Sequence, residues 1–212
     1  FLDQQGNEVN FKDFAFLSAP GIKDINAGKT APRLIVLEGE AGMGKSRLVQ
    51  EMKAQVQLDG GRAAVGQCGT DVNWAYRPIS EMVRTLAPGN NKEELYDGYR
   101  NVMEYFYPDL GNSEASMAIL RPVHEEETLQ DDIATFFHDM ARVQLCVLFV
   151  EDIEACDAQS LTVFQKILSK ETARHLMLIV TKEPNAQLLS LIHISEPTRP
   201  ERSGGAGVGV KK

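Results

Sequence analysis

The sequence predicts a three-layer α/β fold in which a mostly parallel sheet lies between layers of helices. Strand-length runs at Leu34 to Leu37, Arg62 to Cys68, Leu145 to Val150 and His175 to Thr181 alternate with segments whose apolar residues recur every three or four positions. The run LCVLFV at Leu145 to Val150 is unbroken by polar residues, as expected of a parallel strand covered on both faces. The first strand passes directly through a glycine-rich loop into a helix, reading RLIVLEGEAGMGKSRL from Arg33 to Leu48.

That loop carries the chemistry. Gly39, four residues, then Gly44, Lys45 and Ser46 complete the pattern G-x-x-x-x-G-K-[ST]. A turn of this kind exposes consecutive backbone N–H groups that cradle phosphate oxygens, and the helix beginning at Gly44 aims its unpaired N–H groups at the same anion. Lys45 is placed to reach the β- and γ-phosphates and the Ser46 hydroxyl to ligate Mg²⁺. The candidate nucleotide-binding residues are Gly39, Gly42, Met43, Gly44, Lys45, Ser46 and Arg47. Leu48, Val49, Met52 and Val56 continue at helical spacing, so the motif stands in the strand–loop–helix setting a P-loop NTPase requires.

Further along, Gly60 and Gly61 turn the chain into the second strand. Ile79, Met82, Val83 and Leu86 mark a helix closed by Pro88 and Gly89, and Leu95, Tyr99, Met103 and Phe106 another that ends at Pro108. A short helix is expected between Gly111 and Pro122. His124 with Glu125, Glu126 and Glu127 resembles part of a zincin helix, but Thr128 stands where the second His belongs, so a solvated acidic face leading into caps at Thr128 and Asp131 is the expectation. Leu129, Ile133, Phe136, Phe137 and Met140 then form one core stripe with His138 off it.

The Leu145 strand ends in two adjacent carboxylates, Glu151 and Asp152. An acidic pair closing a buried strand downstream of a P-loop has the layout of a Walker B site, in which one carboxylate holds the metal shell and the other orients or deprotonates water. Ser46, Glu151 and Asp152 are the candidate metal residues, and Glu151 and Asp152 the candidate catalytic acids. Lys182, closing the last strand, is a third candidate, as a γ-phosphate sensor or as an exposed strand-end lysine.

Charge and cysteine content narrow the function. The 212 residues carry a net charge of −8, which disfavours direct nucleic-acid binding. Cys68, Cys146 and Cys156 lack metal-ligand spacing and read as buried or incidental thiols of a reducing, cytoplasmic compartment. No membrane span is expected.

At these residues the sequence resembles the AAA-like ATPase module of the signal-transduction NTPases, the STAND group, found in large transcription activators and soluble-type nucleotidyl cyclases. GEAGMGKSRL at Gly39 to Leu48 carries the likeness, with Tyr76-Arg77-Pro78, and with Glu151, Asp152, Asp157, Ser160 and Leu161 in the register of the second signature. Four features depart from it: Glu151 replaces the first Walker B Asp, Ala155 the Trp, and Lys182 an Arg, while the Gly-Arg-Glu preceding the P-loop is missing. The resemblance implies a P-loop on the central strand of a doubly covered sheet, and an ATP- and Mg²⁺-dependent regulatory module that hydrolyses slowly. Its implied partners are the output domains of a parent chain, with self-association as a further expectation. The alternative is a nucleotide-dependent scaffold for protein partners without significant turnover.

The expected domain limits are a lead-in at 1–32, the ATPase domain at 33–188, cut before its last strand and lid, and a disordered tail at 189–212. LSLIHISEPTR at Leu189 to Arg199 resembles a translated sequencing-library adapter. Without residues 189–212 the body loses four basic and two acidic side chains and is more acidic still.

Overall fold

The computed structural model of the chain describes residues 34–69, 75–87, 99–107, 126–142, 144–169 and 175–184. Four parallel strands, β1 (Leu34–Glu38), β2 (Arg62–Gln67), β3 (Cys146–Glu151) and β4 (Leu176–Lys182), form one sheet in the order β1-β4-β3-β2. Five α-helices accompany them: α1 (Lys45–Leu58), α2 (Arg77–Leu86), α3 (Arg100–Phe106), α4 (Glu126–Met140) and α5 (Ala158–Ser169). Parallel neighbours must be joined by crossovers, and the helices between the strands put apolar side chains against both faces of the sheet.

The alternation of side chains along each strand sorts the core into two halves. On one face Val49, Met52 and Val56 of α1 pack with Leu37, Ala63, Val147, Phe149, Met177 and Ile179. On the other, α2 to α5 meet Ala64, Cys146, Leu148, Val150, Leu178 and Val180. Every residue of β3 and β4 is buried. At about 1.5–3 kcal/mol for each large apolar side chain removed from water, these two layers supply the main force holding the sheet. The second face closes to backbone contact at Gly66, where an added Cβ would lie 2.3 Å from the Pro78 carbonyl oxygen. Only glycine lets α2 sit so near β2.

Most elements match the sequence reading to within a residue or two at their ends. Two expectations are corrected. Among the described residues β1 is an edge strand, paired only with β4, and is not central. Helix α4 already runs at Glu126, so Thr128 lies inside its first turn and Asp131 inside its second, and neither is a cap. The closures at Pro88, Gly89 and Pro108, the helix start at Leu95, the expected helix between Gly111 and Pro122, His124, and the segments 1–32 and 189–212 lie outside the described residues.

Candidate nucleotide site

Gly39 N–H donates to the Lys182 carbonyl (3.2 Å), carrying the β1–β4 ladder one rung beyond β1. The loop then turns, with Met43 N–H on the Glu40 carbonyl (3.3 Å). Gly42 and Gly44 have φ of 80° and 89°. Such left-handed angles cost most other residues about 1–2 kcal/mol, which is why glycine occupies both positions. A Cβ on either would meet nothing within 4 Å, so the requirement is conformational and the space around the loop is open.

Helix α1 starts here without a protein cap. Its first intrahelical bond runs from Leu48 N–H to the Gly44 carbonyl (3.0 Å). Gly44 offers no side-chain cap and the first turn holds no acid. The N–H groups of Lys45, Ser46 and Arg47 therefore have no helical carbonyl, and with the helix dipole they favour an anion. Lys45 is buried, its Nζ donating to the carbonyls of Gly39 (2.6 Å) and Glu40 (3.2 Å). These are neutral acceptors, and a phosphate oxygen would form bonds about twice as strong. Ser46 is exposed, as are Met43 and Arg47, the latter paired with Glu51 along the helix (3.1 Å).

The acids stand at the same end of the sheet. Registers Leu37↔Thr181 and Val150↔Val180 put Glu151 level with Thr181 and with Leu37 of β1. Two strand spacings separate β3 from β1, about 10 Å. Val147 and Phe149 face α1, so Glu151 faces α1 as well. It is 7% exposed, and its Oε1 is buried without a hydrogen-bond partner. A carboxylate oxygen left so is costly unless a cation or a water completes it.

Asp152 leaves the strand with φ 55° and ψ 54°. Its N–H donates to Thr181 Oγ1 (2.9 Å), and its carbonyl accepts from Ala155 N–H (2.9 Å), closing a short 3₁₀ turn at Ile153–Ala155. Asp157 anchors the chain beyond that turn: its Oδ1 accepts from Ser160 N–H (2.8 Å), capping α5, and from Tyr76 N–H (3.3 Å) at the start of α2. The carboxylate of the second signature thus ties the acid turn to the helix after β2.

Parity separates the two residues that close β4. Met177 and Ile179 face α1, and so does Thr181, whereas Lys182 points to the other face. There its Nζ pairs with Glu38 Oε2 at 2.7 Å, the Lys182 side chain being 9% exposed. Lys182 is therefore neither an exposed strand-end lysine nor directed toward α1. Thr181 was not among the candidates: it is the first polar residue after the apolar run Leu176 to Val180, and the strand register brings it level with the acid.

Residues 22–180 match the family described as AAA ATPase domain, more than half of the chain. The chain belongs to the AAA ATPase domain family. No curated protein sequence matches it. AAA ATPase domains generally use ATP and Mg²⁺, and the uncapped α1 start and the unsatisfied Glu151 oxygen fit that pair. Among the described residues no group of three or more His, Cys, Asp or Glu side chains could hold a metal by itself.

Proposed function

We propose that this AAA ATPase domain binds ATP·Mg²⁺ at Gly39 to Arg47 and hydrolyses it slowly, as the regulatory module of a larger signalling protein. The observation that carries the reading is the unsatisfied, buried Glu151 oxygen on the same sheet face as the uncapped start of α1. The amides of residues 44–47 hold the phosphates, and Lys45 exchanges its two carbonyl partners for β- and γ-oxygens. Ser46 and Glu151 are placed to hold the metal, which when bound neutralises charge on the phosphates. Asp152 orients the attacking water and takes its proton. Thr181 fixes Asp152 by its main chain and has better support as the γ-phosphate sensor than Lys182, which is engaged by Glu38. A STAND regulator or nucleotidyl cyclase as parent, output domains as partners, self-association and a cytoplasmic setting belong to the same proposal.

Phosphate release by the wild type, set against Lys45→Ala and Asp152→Asn, tests it. Release faster than in both variants supports turnover. Release no faster leaves the second reading, a nucleotide-dependent scaffold, which the Glu-Asp order and the Lys182–Glu38 pair favour.

A further inference from the structure

Among the described residues two outside glycine lie on left-handed backbone, Asp152 (φ 55°) and Tyr76 (φ 60°). For a side chain as bulky as that of Tyr76 this is an outlier, and it persists only where neighbours hold it. One carboxylate joins the two residues. From Asp152 the chain makes the 3₁₀ turn, closed by the bond from Cys156 N–H to the Ile153 carbonyl (3.1 Å), and arrives at half-buried Asp157. There a single oxygen, Asp157 Oδ1, accepts both the Ser160 N–H of α5 (2.8 Å) and the Tyr76 N–H (3.3 Å).

Tyr76 is a fixed point for that bond. It is buried, its ring packs edge-on against those of Tyr105 (5.6 Å between centroids) and Phe106 (6.4 Å) of α3, and its hydroxyl accepts from Gln130 Nε2 of α4 (3.2 Å). Its carbonyl accepts the Ser80 N–H of α2 (2.8 Å), so its main chain is set from the helix side as well. The turn carrying Asp152 is therefore fastened at both ends. Thr181 Oγ1 ties its start to β4, and Asp157 ties its end to the helices on the far face of the sheet. Between these ties only the two turn bonds hold its shape, from Ala155 N–H (2.9 Å) and Cys156 N–H (3.1 Å).

We propose that Asp157 is a positioning residue for hydrolysis: through the Tyr76 amide it fixes the far end of the turn that aims Asp152 at the attacking water. Its bond to Ser160 serves α5, and its bond to Tyr76 serves the site. Neither bond touches the P-loop on β1, so their loss should leave nucleotide binding in place. A displacement of about 1 Å at a catalytic group can cost on the order of 100-fold in rate. The effect on turnover rests on the function proposed above, but the fastening of the turn does not.

The test substitutes Asp157 in the full chain. Asp157→Asn keeps an acceptor oxygen at the same reach and retains both bonds. Asp157→Ser still caps α5, but its shorter side chain does not also reach Tyr76. Phosphate release at saturating ATP, titration with a fluorescent ATP analogue, and amide exchange across residues 151–160 are read for each variant. Asp157→Ser should lower kcat at least about tenfold with nucleotide affinity within about twofold of wild type, and Asp157→Asn should stay within about twofold in both. In Asp157→Ser the amides of Asp152, Ala155 and Cys156 should exchange faster, while those of α5 and the unfolding midpoint keep their wild-type values. Wild-type kcat in Asp157→Ser, an Asp157→Asn variant as slow as Asp157→Ser, or affinity falling in step with kcat overturns the proposal. If the wild type does not hydrolyse ATP, the turnover reading fails and exchange alone decides the fastening: faster exchange confined to the turn upholds it, and unchanged exchange overturns it.

Discussion

Replacing Glu151 by Gln separates what the acid costs the fold from what it contributes to the ligand. In the nucleotide-free protein the Glu151 Oε1 atom is buried without a partner, and the side chain is 7% exposed. An unsatisfied buried group costs about 1–3 kcal/mol, more when charged, and the isosteric amide removes the charge without changing the volume. Glu151→Gln should therefore stabilise the nucleotide-free protein by about 1–3 kcal/mol, which for a chain of this size raises Tm by roughly 3–10 °C. With ATP·Mg²⁺ the gap narrows by about 1.3 kcal/mol. At 100 times Kd the ligand adds about 2.7 kcal/mol to the wild type, and a tenfold weaker variant at the same concentration gains only about half of that. Thermal unfolding of both proteins, with and without ATP·Mg²⁺, reads all four states. A Gln variant less stable without ligand, or one with an undiminished nucleotide shift, would refute the reasoning.

Thr181→Val removes the acceptor of the Asp152 N–H (2.9 Å) and should slow phosphate release at least tenfold while leaving nucleotide affinity within about twofold, the misplacement being at the catalytic acid. Unchanged release would return the sensing role to another residue. Lys182→Met deprives Glu38 of its Lys182 partner and should destabilise the fold by about 3 kcal/mol, with the double variant Glu38→Gln/Lys182→Met recovering most of the loss in urea unfolding. Tyr99 gives a pH signature. Burial and the hydrogen bond to Asp139 (2.7 Å) raise its phenol, as burial also raises Tyr76 and Tyr107. The protonated phenol is favoured in the fold, so its contribution is full below the ordinary value near 10 and is lost as pH rises through the raised one. Tyr99→Phe should flatten, without abolishing, the fall of unfolding midpoint above about pH 10.

The P-loop was legible because its chemistry is local: glycine angles, an uncapped helix start and a lysine all lie within nine residues, each set by its own position. Glu151 and Asp152 could be found because an unbroken apolar run has to stop where the strand reaches solvent. Faces were less legible, although counting by twos from Met177 through Ile179 separates Thr181 from Lys182. The edge position of β1 among the described residues was not, since parallel strands are ordered by crossovers whose direction the pattern of apolar residues does not fix. Thr128 was misplaced because Glu126 and Glu127, acids that suit the first turn of a helix, carry α4 past a residue whose own preference is to cap.

Electron paramagnetic resonance of Mn²⁺·ATP, with Mn²⁺ standing in for Mg²⁺, interrogates the site itself. On adding the wild-type protein the spectrum should change to that of an immobilised ion coupled to phosphate phosphorus, and Lys45→Ala or Ser46→Ala should return it to that of free Mn²⁺·ATP. A wild-type spectrum indistinguishable from free Mn²⁺·ATP, or one that survives both substitutions, would contradict a triphosphate held at Gly39 to Arg47 with its metal facing Glu151.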